Sequence, residues 1–221
     1  MCVIVHVPAG EQIHGDDLKM MYEYNPDGCG LISASTGARK GLWDYDTLVG
    51  NILQIPKGEE YLLHLRIKTH GGITAENCHP FRIGKRNENA WLMHNGILNF
   101  PCINKNWSDT RSFAKHLQQY NSKEIIRSLE EIENTVQGNS KMAYYFNGKI
   151  ILTGKWEWHM NVRVSNTYWD YNPVVQSVYP EWMSKHYKID TTPEWVYDGY
   201  KEEDFESQEE YEFFLQDWKE Y

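Results

Sequence analysis

The sequence lacks a Cys-x-x-Cys pair, and its four cysteines are widely separated, at Cys2, Cys29, Cys78 and Cys102. Structural zinc sites usually draw their thiolates from closely spaced pairs, so this spacing argues against one. Neither a metal nor another cofactor is expected. Cys29, Cys78 and Cys102 are interpreted as small residues of the core or of turns, which leaves Cys2 to be explained separately.

Long apolar runs are also missing, because no stretch approaches the roughly 20 residues that a membrane-spanning helix needs. The first ten residues, MCVIVHVPAG, have neither a charged leader nor the layout of a signal peptide. We therefore expect a cytoplasmic protein without membrane contact, in which the cysteines stay reduced.

Positive charge is scarce, with 22 Lys and Arg against 31 Asp and Glu and a net charge of −9. Much of that excess lies in residues 201–221, where nine acidic and two basic residues occur. No basic stripe is present to neutralise phosphates along a strand, so nucleic acid is not an expected partner.

The length of 221 residues is that expected for one large domain with an appendage. Along it, apolar residues are spaced in some segments as in strands and in others as in helices. The segments predicted as strands are 2–7, 30–34, 60–67, the hairpin 141–154 with Asn147-Gly148 at its turn, and part of 156–169. The segments predicted as helices are 16–24, 42–52, a helix capped at Ser108 or Asp109, 123–136 and the acidic stretch 206–219. This order predicts an α+β fold with helices packed outside antiparallel sheets.

The segment WLMHNGILNF, residues 91–100, resembles an apolar strand interrupted by His94, Asn95 and Gly96. Asn-Gly between apolar runs is a strong hairpin signal, so a simple turn is the first interpretation. The alternative is that polar donors are deliberately placed at the end of a buried strand.

Cys2 follows the initiator methionine, and a small side chain at this position generally allows that methionine to be removed. The residue would then carry a thiol and a free α-amine, whose pKa near 8 makes it a usable proton acceptor. A terminal amine can activate the nucleophile of its own side chain. An ordinary strand residue remains the alternative when Cys2 is considered alone.

Two further segments combine polar groups with loops. In HLRIKTHGG, residues 64–72, Arg66 ends a strand and could hold a carboxylate through two parallel hydrogen bonds. In SDT, residues 108–110, Asp109 could accept hydrogen bonds from an ammonium group, although a helix cap is the simpler interpretation.

Together these segments resemble the glutaminase domain of class II glutamine amidotransferases. The resemblance rests on Cys2 followed in order by NPDGCG, HLRIKTHG, HPF, HNGILN and SDT. These enzymes are N-terminal nucleophile hydrolases, so the resemblance implies a four-layer αββα sandwich of two antiparallel sheets. It covers residues 2–170 and leaves residues 171–221 as an acidic, aromatic-rich C-terminal extension.

The resemblance also implies roles for individual residues. Cys2 would be the nucleophile and its α-amine the base, while the side-chain amide of Asn95 and the backbone N–H of Gly96 would form the oxyanion hole. The remaining residues would bind glutamine: Arg66 its α-carboxylate, Asp109 its α-ammonium, with Thr69 and His70 lining the same pocket.

Three positions depart from the family pattern. Val3 follows the nucleophile where glycine is frequent, and Ile67 follows the arginine where an aromatic residue is common, which puts closure of that loop over glutamine in doubt. Arg111 stands where the family often has glutamate, and the sequence offers no functional reason for it.

The resemblance implies hydrolysis of L-glutamine, and family members usually pass the ammonia to a synthase domain on the same chain. Because residues 171–221 are too few for a second catalytic domain of ordinary size, we expect a stand-alone subunit that passes ammonia to a separate synthase or ligase. The acidic segment 200–221 is a candidate docking helix, or else packs on its own body. Two alternatives remain: an amidase acting on γ-glutamyl or acyl amides, and a non-catalytic binding relative that retains Met1.

Overall fold

A computed structural model describes residues 2–68, 71–135 and 140–170, and in this part of the chain ten strands alternate with five α-helices. In chain order the elements are β1 (Val3–Val7), α1 (Gly15–Tyr24), β2 (Cys29–Ser33), β3 (Gly37–Leu42), α2 (Tyr45–Leu53), β4 (Tyr61–Leu65), β5 (Phe81–Ile83), β6 (Ala90–Asn95), α3 (Asp109–Leu117), α4 (Ser122–Arg127), α5 (Leu129–Thr135), β7 (Lys141–Phe146), β8 (Lys149–Thr153), β9 (Glu157–His159) and β10 (Val162–Val164).

The strands form two antiparallel sheets. The first has the order β3-β2-β4-β1-β10-β9 and the second the order β5-β6-β7-β8. Strand β1 lies inside the first sheet, where Val3 pairs with Leu65 of β4 and Val5 pairs with Val164 of β10. The segment that begins at Cys2 is therefore held between two neighbours rather than at a sheet edge.

One face of the first sheet is covered by α1 and α2. Side chains two residues apart on a strand point to the same face, and the β-branched residues of β1 follow that rule. The residues of this layer include Val3, Val5 and Val7 of β1, Leu63 and Leu65 of β4, Leu18 and Met21 of α1, and Leu48 and Val49 of α2.

The opposite face of the first sheet packs directly on the second sheet. Ile4, Ile32 and Leu62 from the first sheet share a buried cluster with Met93, Ala143 and Tyr145 from the second. Strand β1 is therefore buried on both faces, which explains why its sequence is almost continuously apolar.

The outer face of the second sheet is covered by α3, α4 and α5. Its cluster contains Phe81, Ile83, Leu92, Tyr144 and Phe146 from the strands, together with Phe113, Leu117, Ile125 and Leu129 from the helices. Helices, sheet, sheet and helices thus form four layers, and the expected αββα sandwich is confirmed.

Several local predictions are also confirmed. The hairpin of β7 and β8 turns at Asn147 and Gly148, whose φ angles are 50° and 92°, and Ser108 caps α3 by accepting a hydrogen bond from the Arg111 N–H at 3.1 Å. The hairpin alternative for residues 91–100 is wrong, because β6 ends at Asn95 and residues 96–100 form no strand.

Two helix boundaries differ from prediction. Residues 123–136 were expected to form one helix, but the chain forms α4 and α5 on either side of Ser128. Leu42 keeps helical spacing with the residues of α2 but ends β3 instead, since pairing with Cys29 of β2 holds it in the sheet.

Thr69, His70 and residues 171–221, with the predicted helix 206–219, lie outside the described residues. Within the described part of the chain, no helix combines the length and apolar character needed to cross a bilayer.

Candidate active site

Cys2 lies at the end of the first sheet where β4 also ends. Because Val3 pairs with Leu65, the next residues outward, Cys2 and Arg66, reach the same edge. The half-buried Cys2 thiol donates a hydrogen bond to the Ile67 carbonyl oxygen at 3.3 Å, and the Asn166 side-chain amide donates to the Cys2 carbonyl oxygen at 2.7 Å. Both the thiol and the backbone of Cys2 are therefore held in place.

Arg66 is fixed by the turn within NPDGCG. The Arg66 N–H donates to the Gly28 carbonyl at 3.0 Å, and the Asp27 N–H donates to the Arg66 carbonyl at 2.9 Å. The Asp27 carboxylate then accepts from the Lys68 N–H at 2.7 Å. These three bonds extend the pairing of β2 with β4 and explain why the two motifs occur together in the sequence.

The Arg66 side chain is only 4% exposed, and its Nη1 donates to the Gly72 carbonyl oxygen at 3.2 Å. A guanidinium has five N–H donors in a planar fork, so the group can bind a carboxylate while keeping this contact. Arg66 and Cys2 thus bring a cation and a thiol to one edge of the sheet.

Asn95 reaches the same region from the second sheet. Its side-chain amide donates a hydrogen bond to the Ser165 hydroxyl oxygen at 2.8 Å, and the Ile4 N–H donates to that same oxygen at 2.8 Å. Ser165 follows β10 and is completely buried. One hydroxyl therefore joins the strand that follows Cys2 to the amide at the end of β6.

The Asn95 amide has two N–H groups, and Ser165 takes one of them. The other can donate to a second oxygen. Because Asn95 is only 2% exposed, the amide is held in a fixed orientation instead of turning freely in water. A fixed donor is what stabilisation of a developing oxyanion requires.

Gly96 has a φ of 144°, a backbone conformation that residues with a side chain rarely adopt. A Cβ atom there would lie 2.6 Å from the Ser140 hydroxyl, 2.9 Å from the Ser140 Cα and 3.0 Å from His94 Nε2. Glycine is therefore required by both conformation and space, and its N–H follows directly after the Asn95 donor.

The segments HNGILN and SDT contact each other through two side chains of SDT. The Asp109 carboxylate accepts a hydrogen bond from the Leu98 N–H at 2.8 Å, and the Thr110 hydroxyl lies 2.9 Å from His94 Nδ1. Asp109 thereby reaches the segment that carries Asn95 and Gly96.

Three of the buried histidines are the first residues of the motifs HLRIKTHG, HPF and HNGILN. His64 Nε2 is 3.3 Å from the His94 carbonyl oxygen, and the His64 and His79 rings stack with centroids 3.9 Å apart. Burial lowers the pKa of His64 to about 3 and that of His94 to about 4, and it lowers the pKa of His79 well below the ordinary value. All three imidazoles are therefore neutral at pH 7.

The Cys2 thiol has a raised pKa because it is buried, and the positive charge of Arg66 opposes that rise. The thiol is therefore protonated at neutral pH. A nucleophilic Cys2 needs a nearby group to accept its proton.

The sequence-predicted residues thus gather from both sheets: Cys2 and Arg66 from the first, Asn95 and Gly96 from the second, and Asp109 from α3. Thr69 and His70 lie outside the described residues, so their predicted contribution stays a prediction. Within the described ranges, no group of three His, Cys, Asp or Glu side chains is placed to hold a metal ion.

Sequence reasoning missed Ser165 and Asn166, which hold Ile4 of β1 and the backbone of Cys2 in place. The signal available was weak: a polar Ser-Asn pair directly after the alternating strand VRV. The sequence gives no sign that this pair lies near Cys2. Its importance follows from the position of β10 beside β1.

The four layers, with the segment that follows Cys2 inside the first sheet, have the αββα arrangement that the resemblance in the sequence implies. A solved structure described as the allosteric regulatory enzyme of purine biosynthesis is similar to this chain, with a TM-score of 0.47 and 17% sequence identity. The similarity covers 74% of this chain and 41% of that chain, so this chain spans less than half of that protein's length. No family model matches the sequence, and no curated protein matches it.

Proposed function

We propose that the chain is a cytoplasmic glutaminase that hydrolyses the side-chain amide of L-glutamine to glutamate and ammonia. The observation that carries this proposal is the bridge through Ser165, which joins the strand following Cys2 to the amide of Asn95. A thiol and a rigid amide donor at one edge of a sandwich are the parts that acyl transfer needs.

The chemistry begins when the α-amine of Cys2 is freed by removal of the residue that precedes it. The amine takes the thiol proton, and the thiolate attacks the amide carbon of glutamine. The carbonyl oxygen becomes an oxyanion that accepts hydrogen bonds from the free N–H of Asn95 and the backbone N–H of Gly96. The intermediate collapses as the ammonium of Cys2 returns its proton to the departing nitrogen, which leaves as ammonia.

The thioester that remains is hydrolysed by water. The Cys2 amine takes a proton from the water as the water oxygen attacks the thioester carbon. The Cys2 thiolate then leaves and takes the proton back from the ammonium. The same two donors serve the second oxyanion, because it forms on the same oxygen. Glutamate is then released.

Recognition of glutamine is assigned to the charged groups on either side of the reacting atoms. Arg66 binds the α-carboxylate and Asp109 the α-ammonium, with Thr69 and His70 completing the pocket. The support for this assignment is that the Arg66 guanidinium is buried at the same edge as Cys2 and that Asp109 contacts the segment after Gly96.

We propose further that ammonia passes to a separate synthase or ligase and that residues 200–221 dock this partner. A chain lacking 200–221 should keep ammonia release but fail to co-purify the acceptor enzyme. Unchanged partner binding would place the docking surface on the body of the chain.

The catalytic test compares two forms of one protein, expressed behind a cleavable leader that ends just before Cys2. Cleavage frees the Cys2 amine, so only the cleaved form should release ammonia and glutamate from glutamine. An electrophilic glutamine analogue, in which a reactive group replaces the amide, should label Cys2 in the cleaved form. If the cleaved form neither released ammonia nor was labelled, the proposal would be wrong.

Substrate identity is tested at Arg66 with a second amide, 4-aminobutanamide, which is glutamine without its α-carboxylate. Arg66→Met should raise KM for glutamine by about tenfold or more and leave 4-aminobutanamide hydrolysis unchanged, because a charge-assisted pair is lost only with glutamine. Arg39→Met, at an exposed position of β3, is the matched control. Faster cleavage of acyl or γ-glutamyl amides than of glutamine would assign a different amidase.

A further inference from the structure

A cleft lies between β3, β5 and α3, and none of the residues proposed for the glutaminase site line it. Its volume is about 480 Å³, within the range of small-molecule sites. The lining residues are Lys40, Ala75, Glu76, Phe81, Arg82, Trp107, Arg111, Ala114, Lys115 and Gln118.

One wall of this cleft is a single face of α3. Arg111, Ala114, Lys115 and Gln118 follow the spacing i, i+3, i+4, i+7, which places them on one side of a helix. Ala114 is buried beneath the longer side chains, so the cationic groups of Arg111 and Lys115 border a depression rather than a ridge.

Arg111 is held by two neighbours that carry no charge. Its guanidinium lies over the Trp107 ring at 4.3 Å, and its Nη1 donates to Asn77 Oδ1 at 3.3 Å. Asn77 is itself 1% exposed, and its Nδ2 donates to the Asn106 carbonyl at 2.9 Å. Arg111, the residue that stands where the resembled family often has glutamate, is thus fixed in the wall of this cleft.

Lys40 is also held by uncharged groups. Its ammonium lies 3.4 Å from the carbonyl oxygens of Glu76 and Pro80 and 4.8 Å from the centre of the Phe81 ring. Burial lowers the pKa of Lys40 to about 8. A partly desolvated ammonium of this kind gains when an anion is placed beside it.

The four cations of the cleft outnumber its acids. Glu76 is the only carboxylate lining the cleft among the described residues, and its side chain is exposed. In the part of the chain that the structure describes, Lys40, Arg82, Arg111 and Lys115 form no ion pair. Arg82 instead donates to the Lys85 carbonyl at 2.9 Å.

We propose that this cleft binds a small phosphorylated molecule. Four cations facing one carboxylate leave a charge that a phosphate, at about −1.5 to −2, balances better than a single carboxylate does. Two of the cations are arginines, whose planar forks match phosphate oxygens. The volume exceeds the needs of one phosphate group, and Ala75, Phe81 and Trp107 provide apolar surface for the rest of the ligand.

The site does not depend on glutamine hydrolysis, although the two sites are connected structurally. Asn77, which contacts Arg111, also donates to the Gly72 carbonyl oxygen at 3.0 Å. That oxygen accepts the hydrogen bond from Arg66. Direct binding can therefore be measured on the full chain whether or not it is catalytically active.

Isothermal titration calorimetry of the full chain tests the site with three probes: inorganic pyrophosphate, glycerol 3-phosphate and succinate. Both phosphates should bind more tightly than succinate, a dianion whose charge is similar to that of glycerol 3-phosphate. Tighter binding of glycerol 3-phosphate would identify an organic phosphate as the ligand, and tighter binding of pyrophosphate a free phosphate anion. Succinate binding as tightly as either phosphate would overturn the proposal.

Paired substitutions locate the binding. Arg111→Gln with Lys115→Gln removes two charges from α3 and should weaken phosphate binding by about tenfold or more. Lys123→Gln with Arg127→Gln removes the same charges at the same spacing from α4, outside the cleft, and should change affinity by less than about twofold. Equal losses in the two pairs would show nonspecific attraction and overturn the site.

Proton uptake by Lys40 provides a second measurement, which is made first on the native chain. Near pH 8, anion binding should draw a proton onto Lys40, so the binding heat should differ between buffers of different ionisation enthalpy. Lys40→Met should remove that difference. Binding without proton uptake would place the ligand elsewhere.

Discussion

The Asn95 side-chain amide donates a 2.8 Å hydrogen bond to the Ser165 hydroxyl, which accepts a second 2.8 Å bond from the Ile4 N–H. Seventy residues separate Asn95 from Ser165 in the chain. The bridge crosses from one sheet to the other and holds the proposed oxyanion donor against the strand that follows Cys2.

Ser165→Ala tests whether this bridge positions Asn95. The substitution leaves the Ile4 N–H without its acceptor, and we expect a loss of about 1–3 kcal/mol in the free energy of unfolding. It should also lower kcat by about tenfold or more with little change in KM, because the donor is no longer fixed. Denaturant unfolding and ammonia release measure the two effects.

Ser33→Ala is the matched control, since Ser33 is equally buried and accepts a hydrogen bond from the Thr36 N–H at 3.2 Å. It should lower stability but leave kcat unchanged. If both variants reduced kcat in proportion to their instability, Ser165 would have a structural role only.

Gly96→Ala should displace the second proposed donor. The new Cβ would lie 2.6 Å from the Ser140 hydroxyl and 2.9 Å from the Ser140 Cα, so the backbone must move. Loss of one oxyanion donor lowers kcat by about 10²–10³-fold, and we expect an effect of that size in the ammonia assay.

Gly148→Ala controls for backbone strain without crowding. Gly148 also has a positive φ, 92°, but a Cβ there would meet no atom within 4 Å. This variant should lose about 1 kcal/mol of stability and keep full activity. Full activity in Gly96→Ala would rule out the proposed use of its N–H.

Asp109→Asn tests binding of the α-ammonium. The amide oxygen can still accept the Leu98 N–H, so the contact between α3 and the segment after Gly96 is kept while the negative charge is removed. We expect KM for glutamine to rise by about tenfold or more. Asp44→Asn, at the N-cap of α2, keeps an oxygen for the Thr47 N–H and should leave KM unchanged. Matching KM values for both variants and the native chain would remove Asp109 from the substrate site.

The buried histidines predict how stability depends on pH. The folded chain keeps His64, His79 and His94 neutral, whereas the unfolded chain protonates them below about pH 6.5. Stability is therefore fully present above pH 6.5 and lost as the pH falls towards the folded pKa values. Each histidine contributes a slope of about 1.4 kcal/mol per pH unit.

Denaturant unfolding at pH 7, 6 and 5 measures this slope. His79→Phe keeps an aromatic ring against His64 and Phe81 and removes one titrating group. The slope of its unfolding free energy should fall by about 1.4 kcal/mol per pH unit, the contribution of one histidine. A native chain whose stability did not change between pH 7 and 5 would contradict the neutral assignment.

The sequence alone determined the elements whose cause is local. Strand β1 follows from a β-branched run, the turn of the β7–β8 hairpin from Asn147-Gly148, and the start of α3 from the Ser108 cap. Local backbone preference and the alternation of side chains on a strand decide these features within a few residues. The αββα layers were predicted only through the family resemblance that the ordered motifs carry.

Only the tertiary structure decided which distant residues meet. Ser165 became part of the site because β10 lies beside β1, and Arg111 became part of a cationic cleft because α3 packs near β3 and β5. The Asn-Gly signal at 95–96 was misleading for the same reason, since β6 pairs with β5 and β7 and not with the residues that follow it. Such contacts depend on how sheets and helices pack on one another, and no short segment of sequence encodes that arrangement.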